Sequence, residues 1–279
     1  MTNETTRRGF LGAAAGVAAF SAAPAAARIE PEPWGIKLGV ATYSLRSFDR
    51  AKAIEMIKAL QTPWISIKEF HLRYALPPEE VRQGAAEFRA AGLKITSGGN
   101  VDLKSDDAAV LRKSFEYAKN AGMPMMVCAP THTNLKVLEG LVKEYDIKLA
   151  IHNHGPEDKL YPTPQSVLEE VRKLDKRIGL CMDIGHSWRA GADPVQSAAE
   201  AGERLLDMHV KDLADRSPKA QQVDVGDGVL PFPALFKQLK KMGYTGCVNL
   251  EYEINARDPL PGMQRSFSYM RGVLAGLAG

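Results

Sequence analysis

The feature that most constrains the fold of this 279-residue chain is a regular alternation of short apolar runs with amphipathic helical runs. The apolar runs carry β-branched residues and stop at glycine, proline or polar residues, which is typical of buried strands. We predict strands at residues 36–42, 64–69, 93–98, 124–129, 147–152, 178–183, 206–210 and 246–251. Helical runs separate them, so the pattern predicts parallel strands joined by crossover helices.

Eight such units in about 250 residues favour a single-domain α/β fold, the (β/α)8 TIM barrel. A doubly wound open sheet is the alternative, but no glycine-rich phosphate-binding motif follows the first strand. Prolines and acids at residues 77–80 suit the first turn of a helix. Gly92, Gly122 and Gly243 each stand between a helical run and a strand, which predicts left-handed helix caps at all three.

The first 27 residues are not typical of a folded domain. Thr6-Arg7-Arg8-Gly9-Phe10-Leu11 resembles a twin-arginine export signal, and Ala25-Ala26-Ala27 supplies small residues that a signal peptidase accepts. We therefore predict a twin-arginine-type signal peptide over residues 1–27, a mature domain over residues 28–279, and a periplasmic or otherwise exported location. The apolar stretch between them is short and is broken by Pro24, which argues against a stable membrane anchor.

Charge and cysteine content exclude some classes of partner. The formal net charge of +3 falls to +2 without residues 1–27, because two arginines and one glutamate are removed. So small a charge gives no argument for nucleic acid as a partner. The three cysteines, Cys128, Cys181 and Cys247, lie within apolar strands and cannot all pair, so we expect buried free thiols.

Groups that can bind a metal ion stand at the ends of four predicted strands: His152, Asp183, His209 and Glu251. Their apolar neighbours suit the helix-facing side of each strand, so side-chain alternation aims all four at the barrel axis. The carboxyl ends of barrel strands meet at one mouth, where the active sites of this fold lie. Two imidazoles and two carboxylates suit Mn²⁺, Zn²⁺, Fe²⁺ or Co²⁺ better than Ca²⁺. The alternative is a buried hydrogen-bonded network and, for His152, a substrate contact beside the ion.

The same alternation aims further polar side chains at the mouth. Lys68 follows the second strand, and either binds or activates a substrate or forms a structural ion pair. Tyr43 follows the first strand, His154 the fifth and Lys211 the seventh, and each is a candidate substrate contact. His154 is also a candidate for orienting His152.

Several motifs carry a resemblance to a known family. They are Asp183-Ile184-Gly185-His186, His209-Val210-Lys211-Asp212 and Gly246-Cys247-Val248-Asn249-Leu250-Glu251, with the loop Gly226-Asp227-Gly228. In this order and on these strands they resemble the xylose-isomerase-like barrel superfamily, more closely its sugar phosphate isomerase/epimerase group. The resemblance covers roughly residues 35–275. It implies a metal-dependent isomerase or epimerase that acts on a sugar or keto-sugar through an enediolate intermediate.

The resemblance also implies roles for single residues. In that family one divalent ion is held by Glu, Asp, His and Glu from the fifth to the eighth strand. Asp183, His209 and Glu251 match by type, whereas the fifth-strand position is His152. Because the family's epimerases use the two glutamates as an acid/base pair, Glu251 is the first candidate for the base, with His152 or Lys68 opposite it. His186 matches a family histidine that contacts the substrate.

The substrate and the reaction class are left open. Trp188 either stacks on a sugar or forms a hydrophobic lid contact. The change at His152 and the predicted export favour a second reading, a lyase or hydratase acting on 3-keto-sugars or keto-glycosides. A third is a carbohydrate-binding barrel without catalysis. A DNA-repair endonuclease is disfavoured, since that branch needs more metal ligands and a basic face. We expect a small-molecule carbohydrate as partner, and a homo-oligomer is compatible with the sequence.

Overall fold

A closed barrel of parallel strands forms the centre of the molecule. The computed structural model describes residues 35–277, so the predicted signal peptide lies outside the described residues. The barrel strands, numbered along the chain, are β1 (Lys37–Ala41), β2 (Trp64–Ile67), β3 (Lys94–Leu103), β4 (Met125–Pro130), β5 (Lys148–His152), β6 (Ile178–Asp183), β7 (Leu205–Val210) and β8 (Cys247–Leu250). They close in the order β1-β8-β7-β6-β5-β4-β3-β2.

Helices cover the outside of this barrel, between successive strands. They are α1 (Arg50–Ala59), α2 (Pro78–Ala90), α3 (Ala108–Ala121), α4 (Leu135–Tyr145), α5 (Pro164–Val171), α6 (Ile184–Arg189), α7 (Pro194–Ala201), α8 (Phe232–Lys241) and α9 (Leu260–Gly276). Strand β1 pairs in parallel with both β2 and β8, which closes the sheet and rules out the open-sheet alternative. The predicted (β/α)8 barrel is therefore confirmed. Within residues 35–277, no helix is long and apolar enough to cross a membrane.

The local signals that predicted the helix ends are borne out. Helix α2 begins at Pro78 with acids in its first turn, where the ring fixes φ and no amide hydrogen is lost to the helix. Gly92, Gly122 and Gly243 have φ values of +83°, +62° and +64°, the left-handed conformation that glycine adopts without steric cost. Each of these glycines follows a helix and precedes the next barrel strand.

The core has two layers, as the alternation of strand residues requires. Outward-facing strand residues such as Leu149, Ile151 and Met208 are fully buried against the helices. Inside the barrel a small apolar group includes Val127 and Cys181. The three cysteines are buried and free, as expected.

Strand β3 differs from its predicted extent. It continues to Leu103, and its register against β4 shifts between Gly98 and Val101. Gly99 has a φ of +122°, and a Cβ there would collide with the carbonyl oxygen of Val127. The glycines mark a β-bulge rather than the end of the strand, and the bulge carries Asn100 to the mouth of the barrel.

The glycine loop after β7 is held by the aspartate of the preceding motif. The Asp212 carboxylate accepts hydrogen bonds from the backbone amides of Leu213 (2.9 Å), Gly226 (3.0 Å), Gly228 (3.2 Å) and Leu230 (3.0 Å). A side chain at residue 228 would collide with this carboxylate. Asp212 therefore has a structural role, and it explains why the loop after β7 needs glycine.

Candidate functional site

Four metal-binding side chains converge at the carboxyl end of the barrel. His152, Asp183, His209 and Glu251 each offer one donor atom, and these atoms all lie within 4.8 Å of one another. All four residues are buried. The convergence that strand alternation predicted is therefore present in the structure.

The spacing of these donor atoms fits a single ion. His152 Nε2 lies 3.0 Å from His209 Nδ1 and 3.5 Å from Asp183 Oδ2, and His209 Nδ1 lies 3.3 Å from Glu251 Oε2. Donors bound tetrahedrally at 2.0–2.1 Å from an ion would be about 3.3 Å apart. Asp183 Oδ2 is buried and receives no aligned hydrogen bond from the described residues. The donor set fits one divalent ion of the predicted class, which comprises Mn²⁺, Zn²⁺, Fe²⁺ and Co²⁺.

Local structure fixes the orientation of Asp183. It caps helix α6, because its Oδ1 accepts a hydrogen bond from the His186 amide at 2.7 Å. Its backbone is held by Asn153, whose side chain accepts from the Asp183 amide at 2.9 Å and donates to its carbonyl at 3.2 Å. One carboxylate oxygen is thereby used for the helix cap, while Oδ2 is left to face the other donors.

Lys211 lies beneath the mouth, in the middle of the acidic groups. Its side chain is fully buried, and its Nζ lies 3.1 Å from both Asp183 Oδ2 and Glu251 Oε2 and 2.7 Å from Glu253 Oε2. Its stem crosses Gly185, where a Cβ would stand 2.5 Å from Lys211 Cγ. The inward direction predicted for Lys211 is correct, but the ammonium contacts carboxylates. A direct contact with substrate stays a prediction.

Charge compensation keeps the buried carboxylates ionised. Burial alone would raise the pKa of Asp183, but the Lys211 ammonium and nearby imidazoles hold it well below its ordinary value. The pKa of Glu251 is also well below its ordinary value, because His209, Lys211 and Lys68 outweigh its burial. Burial lowers the pKa of His209 to about 4, so this imidazole is neutral near pH 7, the state that a metal ligand requires.

A cleft of about 240 Å³ opens over these groups, and it contains most of the remaining predicted site residues. The predicted residues that line it are Tyr43, Lys68, His152, His154, His186 and Glu251. Lys68 Nζ lies 3.3 Å from Glu251 Oε1, so the ion pair predicted as one alternative is present at the cleft wall. Burial lowers the pKa of His186 to about 3.

Two predicted substrate contacts, Tyr43 and Trp188, lie outside the barrel strands. Strand β1 ends at Ala41, so Tyr43 lies in a single 3₁₀ turn after the strand, though it still lines the cleft. Trp188 is half-buried against the outer core, with the Arg216 guanidinium 5.3 Å from its ring centre. The ring is thus occupied by an arginine, and stacking on a sugar stays a prediction.

The cleft also contains residues that the sequence did not single out. Phe70, Tyr74, Asn100 and Glu253 line it, as does Glu69, which strand alternation would direct outward. Alternation fails for Glu69 because β2 ends at Ile67 and the chain turns immediately afterwards. For Asn100, the available sequence signal was the preceding pair Gly98-Gly99, because glycines inside a strand often mark a bulge. Glu253 stands two residues after Glu251, so continued side-chain alternation would have directed it to the same side.

Fold and site together define a (β/α)8 barrel with a candidate divalent-metal centre at the carboxyl ends of β5 to β8. The chain belongs to the xylose isomerase-like TIM barrel family, whose model matches residues 48–273.

Individual relatives agree with this assignment. The rhizopine catabolism protein MocC of Rhizobium meliloti is 30% identical over 134 residues, which cover 42% of this chain and 41% of MocC. The chain spans less than half the length of the curated relatives that it matches, between 41% and 48%.

Solved structures share the fold. The IolI protein with a bound zinc atom superposes with a TM-score of 0.69 at 18% identity, covering 85% of this chain and 98% of IolI. The 3-keto-D-glucoside 4-epimerase YcjR of E. coli gives a TM-score of 0.66 at 17% identity, covering 85% of this chain and 99% of YcjR.

Proposed function

We propose that this protein is a metal-dependent isomerase or epimerase that acts on a sugar or keto-sugar. The observation that carries the proposal is the set of four donor atoms, spaced for one ion and open to a polar cleft. Membership of a family that includes sugar isomerases and epimerases supports the same class of reaction. A divalent ion held there would supply positive charge to adjacent oxygens of the substrate and so favour enediolate formation.

Glu251 is the proposed base. It is ionised near pH 7, it lies at the floor of the cleft, and Lys68 holds one of its oxygens. The base would remove the proton from the carbon beside the substrate carbonyl. Lys68, whose ammonium faces the cleft, would donate a hydrogen bond to a substrate oxygen. These roles follow from the position of each group against the reacting carbon.

Histidines form the wall on the β5 and β6 side, and His154 is the proposed proton donor, because burial keeps His186 neutral near pH 7. The rings of His154 and His186 lie 4.7 Å apart, and the rings of His152 and His154 lie 5.6 Å apart. Return of a proton by His154 to the carbon would complete epimerisation. The position at which the family's epimerases carry a second glutamate is His152 here, a proposed metal ligand, so the acid opposite Glu251 is the neighbouring His154.

A lyase or hydratase is the second candidate, and the imidazole wall favours it. Loss of a β-substituent from an enediolate needs an acid that protonates the leaving group, and an imidazole is well suited to that near neutral pH. The two reactions differ in their products. Apart from any deuterium taken up from the solvent, an isomerase gives a product of unchanged mass, whereas a lyase or hydratase changes the mass by the leaving group or by water.

The test is turnover of a panel of sugars and 3-keto-glycosides in D₂O, followed by NMR and mass spectrometry. We expect deuterium to enter the carbon beside the carbonyl, and Glu251→Gln to lower the rate by roughly 10²–10⁴-fold with an unchanged circular dichroism spectrum. Glu55→Gln, on the exposed side of α1, is the matched control. Near-normal exchange in Glu251→Gln would refute the assignment of the base.

A further inference from the structure

Two adjoining clefts open at the mouth of the barrel. The inner cleft, of about 240 Å³, lies over the four donors, and an outer cleft of about 450 Å³ lies over the ends of β3, β4 and β5. Asn100, His152 and His154 line both. The two clefts therefore adjoin at these three residues.

The two clefts together leave room for a ligand larger than one ring. Small-molecule sites usually measure about 300–1,000 Å³. The inner cleft alone is below that range, while both clefts together lie within it. The bulge at Gly99 contributes to this arrangement, since it brings Asn100 to the boundary between the two clefts.

The outer cleft has a preformed wall. Asp158 Oδ1 accepts hydrogen bonds from the amides of Leu160 (2.8 Å) and Tyr161 (3.0 Å), and the His154 amide donates to the Tyr161 carbonyl at 2.9 Å. Tyr161 is 1% exposed, and its buried hydroxyl has no hydrogen-bond partner among residues 35–277. A buried hydroxyl normally has a partner, and this one belongs to a residue that lines the outer cleft.

The charges in the outer cleft select against an anion. Asp102 and Asp158 face a single ammonium, that of Lys104, which lies 3.5 Å from Asp102 Oδ1. The inner cleft adds three carboxylates, Glu69, Glu251 and Glu253, and one ammonium, that of Lys68. A phosphate dianion would meet these carboxylates with like charge, whereas sugar hydroxyls donate hydrogen bonds to them.

We propose that the outer cleft binds the second unit of an unphosphorylated glycoside, while the first unit occupies the inner cleft. The identity of the reacting unit rests on the proposed function, but binding in the outer cleft does not require turnover. The outer subsite is formed by Asp102, Lys104, Asp158 and Tyr161, with Asn100 and His154 at its boundary with the inner cleft.

The experiment is calorimetric titration of the full chain, freed of metal by a chelator, with glucose, glucose 6-phosphate, trehalose, cellobiose and isomaltose. We expect at least one disaccharide to bind about tenfold more tightly than glucose, and glucose 6-phosphate to bind more weakly than glucose. Asp102→Ala and Tyr161→Phe should each reduce the ratio between the disaccharide and glucose dissociation constants. Glu55→Gln should leave that ratio unchanged.

The proposal would be overturned by equal binding of glucose and all three disaccharides, or by tighter binding of glucose 6-phosphate than of any of them. An unchanged ratio in both outer-cleft variants would also overturn it. If the disaccharide preference holds but no sugar is turned over, the proposed function fails and the outer subsite stands. If a simple keto-hexose is turned over and the preference is absent, only the outer subsite fails.

Discussion

At the scale of single residues, the site depends on a buried lysine. Within residues 35–277, Lys211 is the only lysine whose ammonium contacts all three of Asp183, Glu251 and Glu253. Uncompensated buried carboxylates are strongly unfavourable. We therefore interpret Lys211 as a positioning residue that holds the acidic donors in place before an ion is bound.

This interpretation predicts the behaviour of Lys211→Met, which keeps the length of the side chain and removes its charge. In the presence of a chelator, the free energy of unfolding should fall by about 3–5 kcal/mol, because breaking a buried ion pair leaves charges unpaired. Added Zn²⁺ should raise the urea midpoint more in this variant than in the unsubstituted protein, since the ion supplies the missing charge.

Lys176→Met is the matched control, because Lys176 pairs with Glu203 on the surface, where both side chains are about four-fifths exposed. Such pairs contribute little, so this variant should unfold like the unsubstituted protein with and without Zn²⁺. Equal destabilisation of Lys211→Met in the two conditions would contradict the role given to Lys211.

The residue-level site was largely predictable because it depends on strand alternation. His152, Asp183, His209 and Glu251 stand at or next to strand ends, where the alternation still holds. The ion cluster around Lys211 was not predictable, because it depends on Gly185 leaving room for the lysine stem. Contacts of this kind join separate elements and have no signal within one strand.

At the scale of elements, the bulge in β3 places Asn100. Gly99 has a φ of +122°, and its Cα lies so close to the Val127 carbonyl that a side chain cannot fit. The predicted strand stopped at residue 98 because two glycines interrupt the apolar pattern. Only the pairing with β4 distinguishes a bulge from a strand end, and that pairing is not visible in the sequence.

Substitution of two glycines by alanine, one in β3 and one in α4, tests the interpretation of Gly99 as part of a β-bulge. Gly99→Ala should lower the free energy of unfolding by at least about 1–3 kcal/mol, because alanine is strained at this φ. Gly140→Ala, in the middle of α4 with open space around it, should instead raise it by about 0.5–1 kcal/mol. Urea unfolding measures both. A Gly99→Ala protein as stable as the unsubstituted one would contradict the account of the bulge.

At the scale of the whole molecule, the barrel was predictable because its signal is repeated. Eight alternations of strand and helix leave few architectures, and errors in single boundaries do not change the outcome. The two-cleft mouth was not predictable, since it is formed by loops whose paths depend on contacts such as that of Asp158 with the Tyr161 amide. The predicted signal peptide, export and oligomeric state stay predictions.

The proposed chemistry requires one metal ion per barrel, and elemental analysis measures the metal content of the protein directly. The protein is purified without added metal, dialysed against a small excess of Zn²⁺, freed of unbound ion and analysed beside Asp183→Ala. We predict about one transition-metal ion per chain in the unsubstituted protein and a large loss in Asp183→Ala, because four donors meet at one point. A metal-free unsubstituted protein, or equal metal content in both proteins, would contradict the central claim.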